Sequence, residues 1–168
     1  MVDIDDLGVF IPGAHHGFRF VPETKPRVFI AYVHEDLTAA NRLYADLQTG
    51  GARPWMDRKK LLPGQNWPRA IETAIGGSDF FIPCFSTNAV SRRGVFNAEL
   101  RYALECATRI PLDEIFIIPV RVDDCIVPQR IRGRFHCVDL FVNWEHGIAT
   151  ILKAIHQQVS ERQYKRTA

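Results

Sequence analysis

The chain is poor in the features that announce several common kinds of protein. Its four cysteines, Cys84, Cys106, Cys125 and Cys137, form no Cys-x-x-Cys pair and fall in four separate elements. That argues against a zinc site or a disulfide framework and fits a reducing compartment. The six histidines show no metal-ligand spacing, so no metal is expected. No apolar run approaches the roughly 20 residues of a membrane span. The opening Met1-Val2-Asp3-Ile4-Asp5-Asp6 holds acids where a secretory signal would carry Lys or Arg. No Gly-x-Gly-x-x-Gly follows the first strand-like run, nor is there a phosphate loop, so a dinucleotide would not be held in that manner. The net charge is only +2, with one tight basic cluster at Arg58-Lys59-Lys60, and no motif for reading nucleic acid is present. These absences predict a cytoplasmic protein with no membrane and no nucleic-acid partner.

What is present suits one ordinary domain. The chain has 168 residues, 46% of them hydrophobic and 24% charged, enough for a real core and too few for two comfortable domains. Residues 1–26 differ from the rest. Leu7 to Ile11 is apolar, Pro12-Gly13 signals a turn, and Phe18-Arg19-Phe20-Val21 alternates weakly. This segment reads as a partly flexible leader docking through Phe18 and Phe20, or as a small strand-turn-strand. The domain proper is expected over 27–160, with 161–168 a C-terminal tail that frays over Lys165–Ala168.

Within the domain, strand and helix signals alternate. Arg27–Val33 is apolar on both faces, as central parallel strands are. A helix to about Gln48 follows, closed by Gly50-Gly51. Arg53–Met56 is a short second strand, followed by a long polar loop, Asp57–Trp67. Pro68 suits the first position of the next helix, which ends at Gly76-Gly77. Ser78–Phe85, Glu114–Val122 and Cys137–Phe141 are the third, fourth and fifth strands, with Pro119 marking a strand end or edge. A last helix runs from Trp144 to about Arg162. The alternation predicts an α/β, flavodoxin-like three-layer sandwich. Its five parallel strands take the order 2-1-3-4-5, with a ligand crevice at the carboxyl ends of strands one and three.

One stretch, Ser91 to Glu105, stands at that crevice. It reads as a helix with Phe96, Leu100, Ala103, Leu104 and Ala107 on a buried stripe. Glu99 falls on the edge of the stripe. By spacing alone it is either a helix-start acid favoured by the macrodipole or a half-sheltered carboxylate with a chemical task.

Four segments in order resemble the Toll/interleukin-1 receptor (TIR) domain family, of the bacterial type, over about Lys25 to Gln158. They are Val28-Phe29-Ile30-Ala31-Tyr32 with His34-Glu35-Asp36; Asp57-Arg58 and Leu61 to Trp67; Ser78 to Ser86 followed by Gly94 to Glu105; and Ile118 to Cys125. The sequence departs from the pattern at Ala31, where Ser is usual, and at Val95, where the family's helix often carries Trp four residues before its Glu.

The resemblance implies an NAD+ nucleosidase that cleaves the nicotinamide–ribose bond, with Glu99 as the catalytic carboxylate. NAD+ is then a substrate, and no cofactor is expected. It also implies self-association between TIR domains and a fused or separate sensor or effector. Tyr32 and Trp67 are candidates to stack on the ligand, Trp67 being equally a helix-start core residue. Asp57 and Arg58 are candidates on the polar loop, Arg58 as a pyrophosphate contact or simply part of a solvated face. Ser86 is a ligand donor or a strand-end cap, and Phe96 a substrate contact or a member of the buried stripe. A non-catalytic adaptor acting through homotypic contacts is the competing reading.

Overall fold

The computed structural model describes residues 9–12, 18–21, 25–56, 66–91 and 94–167. Near the start, β1 (Val9–Pro12) and β2 (Phe18–Val21) pair as an antiparallel two-stranded sheet. The domain begins at β3 (Arg27–Ala31), whose last four residues are buried, as the doubly apolar run requires. A single 3-10 turn (His34–Asp36) leads into α1 (Leu37–Thr49). That helix ends in a Schellman turn: Ala52 N–H returns to the Leu47 carbonyl at 2.9 Å, and Gly51 takes φ +89°, which only glycine adopts cheaply.

The chain continues through β4 (Arg53–Trp55), α2 (Trp67–Gly76) and β5 (Phe80–Phe85), the last buried throughout. Asn66 caps α2 by accepting the Arg69 N–H at 3.3 Å, so Pro68 sits at the second helical position rather than the first. Then come α3 (Thr87–Ser91), α4 (Val95–Ala107), β6 (Val120–Arg121), α5 (Gln129–Arg132), β7 (Val138–Asp139) and α6 (Trp144–Thr167). The five-stranded sheet is parallel in the order β4-β3-β5-β6-β7, which is the expected 2-1-3-4-5 arrangement.

Three local expectations need correction. The helix expected from Ser91 begins instead at Val95, with Gly94 at φ +154° as its N-cap, and Ser91 ends a separate short helix, α3. The fourth strand is shorter than the apolar run suggests. Phe81 and Ile117 form an isolated bridge, and only Val120–Arg121 follow as strand. Pro119 lies between the two and has no N–H for the ladder. The last helix is longer than expected: α6 continues to Thr167, and near its end Arg162 donates to Glu114 at 2.8 Å and Lys165 to Asp113 at 2.6 Å.

Each face of the sheet carries its own core. Val28, Ile30, Tyr32, Phe80, Ile82 and Cys84 pack under α1 and α6. Phe29, Ala31, Phe81 and Phe85 pack under α2 and α4. On this second face an aromatic ribbon crosses four neighbouring segments. Trp55 stacks on Phe29 (4.8 Å between centroids), Phe29 on Phe81 (5.5 Å) and Phe81 on Phe116 (6.5 Å). Strand register makes this possible, since Phe29 lies opposite both Trp55 and Phe81. The ribbon is the floor on which α2 and α4 rest.

Candidate active site

Because α2 and α4 each return from the carboxyl end of one parallel strand to the amino end of the next, they run in the same direction across that floor. A cavity of about 340 Å³ opens between them. From α2 it is lined by Pro68, Ile71, Glu72 and Ile75. From α4 it is lined by Val95, Ala98, Glu99 and Tyr102. Both sets follow the spacing i, i+3, i+4, i+7, the signature of one helical face. Pro68 and Val95 therefore mark the end nearest the crevice, Glu72 and Glu99 share the middle level, and Ile75 and Tyr102 close the far end. The Tyr102 hydroxyl lies 3.7 Å from where a side chain on Gly76 would begin, so it reaches across from α4 to α2.

Glu99 is buried, with 5% of its surface exposed. Its place follows from its neighbours. Phe96 and Leu100 face the sheet, Phe96 meeting Phe85 edge-on at 5.6 Å, and Glu99 is turned from them toward α2. Spacing put it at the edge of the buried stripe; the α2 helix covers that edge. Glu72 is exposed at the cavity's rim, and Val95 is half exposed. The Tyr102 phenol is pushed up from its ordinary range, first by desolvation, then by Cys106 and by the nearby Glu72 carboxylate.

The other expected site residues are placed as follows. Phe96 belongs to the core beneath the cavity and does not line it. Tyr32 lies on the opposite face of the sheet from Glu99, in the cluster under α1 and α6. Ser86 is fully buried and acts as a cap: its oxygen accepts the Ala89 N–H at 2.9 Å, and its hydroxyl donates to the Asp36 carboxylate. Asp36 precedes α1 at the cap position but makes no capping bond there; its carboxylate is engaged by Ser86. Trp67 is the first residue of α2. Asp57 and Arg58 lie outside the described residues. Glu72 and Tyr102 were not singled out by sequence reasoning, although the matching spacing of the two helices carries the signal.

Beside the cavity, the ends of the later strands are fastened. Asp123 accepts the Thr87 N–H at 2.9 and 3.0 Å, tying the loop after β6 to the start of α3. Arg121 and Asp139, opposite each other in the ladder, make a two-pronged pair at 2.6 and 2.7 Å. Among the described residues no helix is long and apolar enough to cross a membrane.

Comparison with known proteins gives the family. The sequence model of the TIR domain matches residues 28–152. The chain is similar to the TIR domain of the Toll-related receptor TRR-2 from Hydra magnipapillata, at 22% identity over 73% of this chain and 97% of that one, with a TM-score of 0.56. It is similar to the TIR domains of the activated Roq1 resistosome that recognises the effector XopQ, at 23% identity over 85% and 78%, TM-score 0.53. It is also similar to the CMP N-glycosidase BcmB of Clostridium botulinum, at 20% identity over 76% and 98%, TM-score 0.53. No curated protein matches the sequence. The family match spans most of the chain, and the sheet order agrees with it: the chain belongs to the TIR domain family.

Proposed function

We propose that the protein is an NAD+ nucleosidase that releases nicotinamide, with Glu99 as the catalytic carboxylate. The observation that carries this reading is a buried carboxylate on the wall of a cavity between two facing helices, in a chain of the TIR family. A volume of about 340 Å³ is at the small end for ligand pockets and suits one end of a dinucleotide, a ring with its ribose. The same fold performs N-glycosyl cleavage in the Clostridium botulinum CMP N-glycosidase.

The chemistry asks little of the protein beyond that carboxylate. The nicotinamide of NAD+ is a pyridinium cation. When its bond to the ribose C1′ breaks, the electron pair goes to the ring nitrogen and the ring leaves neutral. No general acid is needed. Positive charge moves to the ribose, giving an oxocarbenium-like transition state. A fixed carboxylate in a sheltered site stabilises that charge and holds a ribose hydroxyl. Water then bonds to C1′ and loses a proton to solvent, giving ADP-ribose; attack by an adenine nitrogen or a ribose hydroxyl gives a cyclic ADP-ribose instead. The biological setting we assign is bacterial antiphage signalling or NAD+ depletion, in self-associated TIR assemblies.

The test is nicotinamide release from NAD+, measured across protein concentrations and with the chain tethered to an oligomerising partner. Specific activity is expected to rise with assembly and to vanish in Glu99→Ala. Equal release by both proteins removes Glu99 from the mechanism. No release under any assembling condition leaves the adaptor reading, in which the fold serves homotypic recruitment.

A further inference from the structure

Glu72 is the second acid on the cavity, and nothing in the mechanism above uses it. It occupies the same place in its helical stripe as Glu99 does in the other, one turn below Pro68 as Glu99 is one turn below Val95. With both helices running the same way, Glu72 stands on one wall and Glu99 on the other, each one turn in from the crevice end of its own helix. Among the described residues the rest of the lining is apolar or aromatic, with Ile71, Ile75, Ala98 and Tyr102 between the two acids. An apolar slot flanked by carboxylates from both sides is matched to a flat aromatic cation and poorly matched to a neutral or anionic ring.

We propose that Glu72 is a specificity-determining residue that selects the oxidised, cationic nicotinamide ring over its neutral reduced form. The assignment rests on the nucleosidase reading and deepens it. Its role differs from that of Glu99 in a way the kinetics separate. Glu72 attracts the charge while it resides on the ring, in the bound substrate. In the transition state that charge has moved to the ribose. Its contribution therefore stabilises the ground state more than the transition state and lowers KM and kcat together, whereas that of Glu99 raises kcat. After cleavage the ring is neutral, and the attraction that held the substrate no longer holds the product.

The binding arm uses the full chain titrated with 1-methylnicotinamide, the ring cation alone, and with neutral nicotinamide, followed by NMR. The native protein is expected to prefer the cation. Glu72→Gln should weaken the cation about fivefold, the scale of a solvent-exposed charge pair, and leave nicotinamide unchanged. Equal affinity for the two rings in the native protein, or an unchanged cation affinity in Glu72→Gln, overturns the proposal. The kinetic arm expects KM for NAD+ and kcat to rise together, each about fivefold, with kcat/KM little changed. A loss of kcat at constant KM overturns it. Should the native protein release no nicotinamide, the nucleosidase reading fails by itself, and the binding comparison still decides the role of Glu72.

Discussion

Ser86, at the carboxyl end of β5, donates its hydroxyl to Asp36, which follows the neighbouring strand β3. The bond bridges the point where strand order reverses, the place where open α/β sheets bind ligands. Here the Ser86 hydroxyl is engaged by the protein's own Asp36, and the cavity lies to one side of that bond, between α2 and α4. The consequence for Ser86 is structural. Ser86→Ala removes a helix cap and a hydrogen bond to a charged group and is expected to cost about 2 kcal/mol. Urea unfolding should show the loss, while the affinity for NAD+ stays unchanged; a large rise in KM at unchanged stability would return Ser86 to the ligand.

Arg162 and Glu114 form a mostly buried ion pair, with 19% and 17% of their side chains exposed. The same guanidinium donates to the Ile115 carbonyl at 3.0 Å and lies over the Phe80 ring. Arg162→Ala strands the Glu114 carboxylate and exposes part of the core, so a destabilisation of about 3 kcal/mol is expected. Lys165→Ala, which breaks only an exposed pair with Asp113, should change the urea midpoint far less. Equal effects would mean that the helix end is held by something other than Arg162.

Acid should weaken the junction of β6 and β7. Hydrogen bonding to Arg121 holds the Asp139 carboxyl below its ordinary range. A carboxylate with a lowered folded pKa contributes stability above its unfolded pKa, near 4, and that contribution disappears as pH falls through the folded value. Native protein and Asp139→Asn should therefore differ in urea midpoint at neutral pH and converge as the pH drops below 4. A difference that persists at pH 2 would point to packing rather than charge.

Val95 is 54% exposed at the crevice end of the cavity. Val95→Trp places an aromatic face where the resembling family often has one, four residues before Glu99. Stacking on a bound ring is worth about 1 kcal/mol, so the KM for NAD+ should fall about fivefold with kcat little changed. An unchanged KM would show that the ligand does not pass that end of the cavity.

Much of this arrangement was legible in the sequence, and the reasons differ by element. The strand order followed from apolar runs punctuated by Gly and Pro, because buried parallel strands have few other ways to look. Tyr32 shows a signal present but not used. Val28, Ile30 and Tyr32 alternate with Phe29 and Ala31, so the pleat alone places Tyr32 on the face away from Glu99. The burial of Glu99 was not legible from its own helix. It depends on α2 lying alongside, a contact between segments that are distant in sequence. The break between α3 and α4 was hidden for a different reason. Gly94, at φ +154°, stands at the start of α4 within a stretch whose composition is helical on both sides.

Asp79 gives the domain its handle. Its side chain accepts the Arg27 N–H at 2.7 Å, where the first strand of the main sheet begins, and its carbonyl accepts from Arg162 at 3.4 Å, near the end of the last helix. Entry and exit thus meet at one residue, on the rim opposite the carboxyl ends of the strands. Segments joined before Arg27 or after Thr167 therefore leave from the amino-end rim of the sheet, opposite the end of the cavity marked by Pro68 and Val95.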